Sequence, residues 1–193
     1  MCGIVGYIGS KEALSIILNG LKRLEYRGYD SSGVATYNGS TIVSCKSKGK
    51  ISKLEKSIAK RKNLKGKLGI GHTRWATHGV PNDINAHPQF SNSNNLCLVH
   101  NGIIENYSSI KESLIKKGYE FHSDTDTEVL VNLWREKGIC MLEDLIGMFA
   151  FCLWDTKQEK GILVRDRQGI KPCYLTYFND GSFAFASEIK SLL

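Results

Sequence analysis

The sequence lacks any apolar run long enough to cross a lipid bilayer. The longest, MFAFCLW at 148–154, is far shorter than the ~18 residues that a spanning helix needs. The N-terminus has no basic segment followed by an apolar one, so a secretory signal is not expected. Residue 2 is a cysteine where N-myristoylation requires a glycine. We therefore expect a cytoplasmic protein with no membrane partner.

The sequence also lacks paired cysteines. No CxxC motif occurs, which argues against a zinc site and against a disulfide framework. We expect five of the thiols to be reduced and inert, since cysteine in a strand-like segment behaves as a small hydrophobic residue. The cysteines are Cys2, Cys45, Cys97, Cys140, Cys152 and Cys173.

Internal repeats, low-complexity linkers and a proline-rich boundary are absent as well. The 193 residues are 41% hydrophobic and 23% charged, the balance of a globular protein with a sizeable core. We expect one domain over residues 1–193.

The net charge of +7 is concentrated in residues 46–67, which contain ten lysines and arginines and one acidic residue. Such a run could contact nucleic acid, but this one has no aromatic residue for stacking. Ile51, Leu54 and Ile58 recur at helical spacing, so we predict an amphipathic helix with a solvated lysine face and no nucleic-acid partner.

The pattern of apolar residues predicts an α+β protein built from antiparallel sheets layered with helices. Helices are expected from an N-cap at Ser10 onward, at 106–117 and at 125–137, the last two ended by glycines. Strands are expected at GVATY, TIVSCKS, LGIGHT and LCLVH, and the last third is predicted to be all strand.

Cys2 follows the initiator methionine, which an aminopeptidase is expected to remove. The mature chain would then begin with a thiol and a free α-amine on one residue. The thiol can act as a nucleophile and the amine, with an ordinary pKa of about 7.7–8.0, as its base. The apolar stretch GIVGYI would have to form a buried strand that holds this terminus in place.

Three further stretches could complete such a site, and each has a simpler interpretation. Asn101 and Gly102 could donate N–H groups to an oxyanion, although NG is also a turn signal. Arg74, in a loop with Thr77 and His78, could hold a carboxylate or be a solvated charge. Asp126 could accept an ammonium group or only cap a helix.

Taken together, the motifs are specific. They are MCGIVGYIG, LEYRGYDSSG, GHTRWATHG, NAHP, VHNGIIEN and SDTDTE. In order and spacing, this set resembles the glutaminase domain of the glutamine–fructose-6-phosphate aminotransferases. These are class II glutamine amidotransferases of the N-terminal-nucleophile hydrolase superfamily. The resemblance implies a four-layer αββα fold, with antiparallel sheets sandwiched between helices.

The resemblance also implies the roles of individual residues. Cys2 is the nucleophile, Asn101 and Gly102 form the oxyanion hole, and neither a metal nor a cofactor is needed. Substrate-binding roles fall to the α-carboxylate clamp Arg74 with Thr77 and His78, to the lid residue Trp75 and to the α-ammonium clamp Asp126. Supporting roles fall to Arg27 and His87.

From about residue 145 the sequence departs from the sugar aminotransferases. GMFAFCLWD, LVRDRQGIKPCY and FASEIKSLL resemble the glutaminase domain of asparagine synthetase instead, and the RDRQGIKP element itself is interpreted as structural. The glutaminase half-reaction is common to both families, whereas the ammonia acceptor differs. No stretch resembles a sugar isomerase domain or an ATP-binding synthetase domain.

The sequence therefore predicts hydrolysis of L-glutamine to glutamate and ammonia, delivered to a synthase domain or subunit in cis or in trans. A fructose-6-phosphate aminotransferase is the favoured acceptor and an asparagine synthetase the alternative. A glutamine-binding regulatory subunit without turnover is a further alternative, and an oligomer is possible.

Overall fold

A computed structural model of the chain describes residues 2–61 and 63–193. In it, ten strands form two antiparallel sheets. Sheet A runs in the order β3 (Ile42–Lys48), β2 (Ser31–Tyr37), β4 (Leu68–Arg74), β1 (Gly3–Ile8), β10 (Phe183–Ala186), β9 (Tyr174–Tyr177). Sheet B runs in the order β5 (Gln89–Phe90), β6 (Leu96–Ile104), β7 (Gly147–Asp155), β8 (Lys160–Arg165).

The helices cover the outer faces of the two sheets. α1 (Ala13–Leu24) and α2 (Ile51–Ala59) pack on sheet A, while α3 (Tyr107–Lys116) and α4 (Asp126–Lys137) pack on sheet B. A third apolar cluster, which includes Ile4, Val99 and Phe185, fills the space between the sheets. The layers therefore follow the order helix, sheet, sheet, helix.

Side-chain alternation along β6 explains how one strand serves two cores. Cys97 and Val99 contact the apolar cluster between the sheets, whereas Leu96 and Leu98 contact the cluster under α3 and α4. Because successive residues of a strand point to opposite faces, Asn101 continues the row that faces sheet A. His100 continues the row that faces α4.

Most of the predicted elements are confirmed, including the helix over Ile51–Ala59 with Ile51 and Leu54 buried. The predicted N-cap at Ser10 is wrong, because α1 begins after Glu12 and the Ser10 hydroxyl donates to Asp180 Oδ2 at 2.7 Å.

The predicted end of the strand before Asn101 is also wrong. β6 continues to Ile104, so Asn101 and Gly102 lie inside a strand, paired with Ala150 and Phe149 of β7. Arg74, expected in a loop, is the last residue of β4.

The RDRQGIKP element closes a turn after β8. Asp166 accepts backbone N–H groups from Phe149, Gln168, Ile170 and Lys171. Burial disfavours the charged carboxylate, but these donors lower the pKa of Asp166 overall. The geometry agrees with the structural interpretation of this motif.

Among the described residues, no helix is both long and apolar enough to cross a membrane.

Candidate active site

Cys2 lies directly before β1, at the end of sheet A where β4 also finishes. β1 pairs with β4, with Gly3 opposite Thr73. The backbone N–H of Trp75 donates to Cys2 Sγ at 3.2 Å. The residues next to the paired ends of β1 and β4 are therefore also in contact. Burial raises the pKa of the Cys2 thiol, against the opposing effects of the Trp75 N–H and of Arg74. A thiol in this setting needs a base to become a thiolate at neutral pH. Removal of Met1, which would expose the α-amine, lies outside the described residues.

Arg27 holds the backbone next to the thiol. Its Nε donates to the Cys2 carbonyl oxygen at 3.2 Å, and its Nη1 is 2.5 Å from Glu188 Oε1. Tyr26 donates its hydroxyl to the same carboxylate oxygen. Burial acts against the Glu188 carboxylate, yet Tyr26, Arg27 and Lys190 lower its pKa to about 2. The nucleophile's backbone is therefore anchored to a charged group at the end of β10.

Asn101 and Gly102 approach this point from sheet B. Gly102 has φ +137°, and a Cβ added there would lie 2.0 Å from the Met148 carbonyl oxygen. Only glycine fits at this close approach of β6 and β7. Asn101 is buried, and its Nδ2 donates to the hydroxyl of Ser187 at 2.8 Å.

Arg74 is folded back onto the loop that follows it. Its Nη2 donates to the carbonyl oxygens of His78 and, at 3.1 Å, of Gly79. Its Nη1 is buried and has no hydrogen-bond partner among the described residues. Burial lowers the pKa of Arg74, and the nearby Cys2 and Asp126 oppose that shift. One edge of the guanidinium thus remains available for a carboxylate.

Asp126 is the first residue of α4, after the N-cap Thr125, whose side chain accepts the Glu128 N–H. The Asp126 Oδ2 accepts the backbone N–H of Ile104 at 3.0 Å and lies 3.9 Å from His100 Nδ1. Capping of α4 is thus performed by Thr125, and Asp126 keeps acceptor capacity for another donor.

A small cavity of about 10 Å³ brings most of these groups together. Its lining comes from five parts of the chain: Cys2, Arg74, Trp75, Thr77, His87, His100, Gly102, Thr125, Asp126 and Thr127. Of the sequence-predicted residues, Asn101, His78 and Arg27 are not part of the lining. The ring of His78 stacks on Tyr107 with centroids 4.8 Å apart, and its carbonyl holds Arg74.

The loop after β4 covers the cavity. Trp75 is 45% exposed, and its ring contacts Tyr29 edge-on with centroids 5.7 Å apart. The Ala76 N–H donates to Asp30 Oδ2 at 2.9 Å. A cavity of about 10 Å³ has room for no more than about one water molecule, so an amino acid fits only if the residues around the cavity move apart.

Three buried histidines lie at the cavity: His87 and His100 line it, and His72 lies behind them. His87 Nε2 is 2.6 Å and His100 Nδ1 is 3.0 Å from the hydroxyl of Thr127. His72 Nε2 is 2.9 Å from the His100 carbonyl oxygen, and its ring stacks on His87 at 4.1 Å. Burial lowers the pKa of all three, that of His72 to about 3, so they are neutral at pH 7.

Sequence reasoning missed several residues in and around this site: His72, His100, Thr127, Ser187 and Glu188. A signal was present for His72 and His100, because polar residues inside otherwise buried strands need partners. Ser187 and Glu188 lie in FASEIKSLL, well after the last of the active-site motifs in the sequence, and no local pattern links them to Cys2. Among the described residues, no cluster of three or more His, Cys, Asp or Glu side chains is arranged to hold a metal ion.

Comparison with known proteins finds a glutamine amidotransferase family and glutamine-dependent aminotransferases. A family model described as a glutamine amidotransferase domain matches residues 41–193. A glutamine–fructose-6-phosphate aminotransferase (isomerizing) of Thermococcus kodakarensis is 58% identical over all of this chain and 33% of its own length. Its counterpart from Chlorobaculum tepidum is 46% identical over 97% of this chain and 32% of its own length. This chain spans about a third of the length of these curated relatives.

A solved structure agrees with the fold. The glutamine phosphoribosylpyrophosphate amidotransferase of B. subtilis, complexed with ADP and GMP, superimposes with a TM-score of 0.86 at 31% identity. The match covers 99% of this chain and 43% of that one. The predicted αββα architecture of the N-terminal-nucleophile hydrolases is thereby confirmed. With a family model that matches well over half of its residues, this chain belongs to the glutamine amidotransferase domain family, class II.

Proposed function

We propose that this chain hydrolyses the side-chain amide of L-glutamine, with Cys2 as the nucleophile, and passes the ammonia to a synthase domain or partner. The observation that carries the proposal is the composition of one cavity wall. A thiol, a strand glycine, a buried arginine and a buried aspartate all face the same small space. An α-carboxylate and an α-ammonium group are what Arg74 and Asp126 would recognise together.

The reaction begins with removal of the Cys2 proton by the α-amine of the processed terminus. The thiolate attacks the amide carbon, and the C=O electron pair moves to the oxygen. Asn101 Nδ2 and the Gly102 N–H stabilise that negative charge. Collapse of the intermediate breaks the C–N bond, and the α-ammonium gives its proton to the departing nitrogen, which leaves as ammonia.

Water then completes the cycle. It attacks the γ-glutamyl thioester, the α-amine removes a proton from it, and glutamate leaves with the thiol restored. No step requires a metal or a cofactor. Thr77, His78 and Trp75 act in binding, as parts of the loop that covers the substrate. Arg27 and His87 act as supports, through the Cys2 carbonyl and the Thr127 hydroxyl.

For the acceptor, we propose a fructose-6-phosphate aminotransferase, in which the ammonia serves glucosamine-6-phosphate synthesis. The names of the relatives that match 97% or more of the chain support this choice. The alternative acceptor, an asparagine synthetase, rests on the motif resemblance of the last third alone, and the Thermococcus kodakarensis aminotransferase matches that part of the chain as well. A regulatory subunit without turnover is less well supported, because Cys2, Asn101 and Gly102 are all present.

The remaining proposals concern the protein as a whole. We infer one glutaminase domain over residues 1–193, a location in the cytoplasm, and no nucleic-acid or membrane partner. The free thiols and the absence of a recognised nucleic-acid motif support these statements. An oligomer is compatible with these proposals.

The test is glutamate release from L-glutamine by the purified chain and by two cysteine variants. Cys2→Ala should abolish release, because no other described thiol reaches the cavity. Cys140→Ala is the matched control, since Cys140 is an exposed thiol that does not line the cavity, and it should keep wild-type activity. Release that survives Cys2→Ala would contradict the proposal.

A further inference from the structure

Ser187 follows the last residue of β10 and is fully buried. Its backbone N–H donates to the Ile4 carbonyl oxygen at 3.0 Å, and its hydroxyl accepts the Ile4 N–H at 2.8 Å. Ile4 is only two residues beyond Cys2. The serine is therefore fixed to the strand that carries the nucleophile.

The same hydroxyl contacts Asn101 of sheet B, whose Nδ2 donates to Ser187 Oγ at 2.8 Å. As a donor, the hydroxyl makes one long contact, with the Ile4 carbonyl oxygen 3.5 Å away. Both lone pairs of the oxygen are then used as acceptors, one for Ile4 and one for Asn101. In this arrangement the hydroxyl presents an acceptor to Asn101, which favours the NH₂ end of the side chain over its oxygen.

This selection matters because a carboxamide has two ends of similar shape and opposite polarity. Asn101 Oδ1 is buried and makes no hydrogen bond of ordinary geometry among the described residues, and the neutral His72 ring lies near this side chain. The hydrogen bond to Ser187 is therefore the one of ordinary geometry that orients the carboxamide. With one Nδ2 hydrogen on Ser187, the second stays free for an oxyanion. If the amide flipped, its oxygen would face the developing negative charge and raise the barrier.

We propose that Ser187 is a positioning residue that orients the Asn101 amide and thereby forms the oxyanion hole. The inference rests on the proposed glutaminase function. It also explains why a serine from the far end of the chain touches both sheets at this point. Ser187 links the strand of the nucleophile to the strand of the oxyanion hole through one hydroxyl group.

The first test compares Ser187→Ala with Ser182→Ala in steady-state glutamine hydrolysis. Ser182 is a matched control, because it is a buried serine beside the other end of β10. Its hydroxyl also bonds to β1, at Tyr7 3.1 Å away. We expect Ser187→Ala to lower kcat by about tenfold or more with little change in KM, and Ser182→Ala to stay within about twofold. An unchanged kcat in Ser187→Ala would overturn the inference.

A second readout separates orientation of the amide from general damage. Alkylation of Cys2 by iodoacetamide forms no oxyanion, so its rate should be equal in Ser187→Ala and wild type. In an Asn101→Ala background, Ser187→Ala should cost no further activity, because the residue acts through Asn101. Slow alkylation, or full additivity of the two substitutions, would contradict a positioning role.

A third readout does not depend on turnover. In ¹⁵N-labelled protein, the side-chain NH₂ signals of Asn101 are assigned by their loss in Asn101→Ala. We expect them to shift in Ser187→Ala and to stay in place in Ser182→Ala. Absence of glutamine hydrolysis in the wild type would contradict the proposed function. Unmoved Asn101 signals in Ser187→Ala would by themselves overturn the inference about Ser187.

Discussion

At the scale of single residues, the side chains proposed to bind glutamine already make hydrogen bonds to the protein backbone. Arg74 is held by two loop carbonyls, and Asp126 accepts one backbone N–H from Ile104. Each keeps capacity for one more partner. A buried ionised group with such capacity recognises a charged ligand strongly, because solvent does not compete for it.

Asp126→Asn should therefore raise the KM for glutamine by about tenfold to a hundredfold, since a hydrogen bond to a charged group contributes about 1.5–3 kcal/mol. The asparagine keeps an oxygen for the Ile104 N–H, so the fold should be retained. Steady-state kinetics measure the effect.

Asp124→Asn is the matched control for Asp126→Asn. It removes one acidic charge from the exposed side of the same segment and should leave KM within about twofold. Equal KM values in Asp126→Asn and wild type would contradict the role of Asp126 as the ammonium clamp.

At the scale of elements, β6 is where sequence and structure differ most. The NG pair predicts a turn, but the strand continues and pairs with β7 through Ile104. Gly102 has a left-handed φ and leaves no room for a side chain. The glycine that predicts a turn is therefore needed for another reason: the backbone of β7 lies too close to Gly102 for any side chain.

Gly102→Ala should reduce the free energy of unfolding by about 3 kcal/mol or more, because strain at positive φ adds to overlap with the Met148 carbonyl. Gly118→Ala is the control. It also has positive φ, at +87°, but nothing lies within 4 Å of its Cβ position, so about 1 kcal/mol is expected. Urea unfolding measures both, and equal losses would argue against a steric origin.

At the scale of the whole molecule, the buried histidines connect the two sheets. His72 on β4 bonds to the backbone of His100 on β6, and His87 fills the gap beside them. Burial keeps all three neutral in the folded state. The unfolded chain, with an ordinary histidine pKa near 6.5, binds protons more readily below that pH.

Stability should therefore fall as the pH drops below about 6.5, and His72 alone should contribute about 1.4 kcal/mol per pH unit down to its pKa of about 3. Urea unfolding between pH 7.5 and pH 5 measures this slope. His72→Gln should reduce the slope, whereas His122→Gln, at an exposed histidine, should not. The same slope in His72→Gln and wild type would contradict the account.

The sequence predicted much of this molecule, and the misses share a physical cause. The spacing of apolar residues was enough to predict α2, the β2–β3 pair and the final strands, because in each of them that spacing marks the face that is buried. The αββα order came from the resemblance. The contacts of Ser187 with Ile4 and Asn101 could not be predicted, because they depend on how two sheets meet across large sequence separations.

The most direct test of the central claim is rapid-quench mass spectrometry of the purified chain mixed with L-glutamine. The account predicts a chain that lacks Met1, with a transient γ-glutamyl adduct on the thiol of the N-terminal cysteine. An adduct on another cysteine, or turnover in a chain that retains Met1, would contradict it.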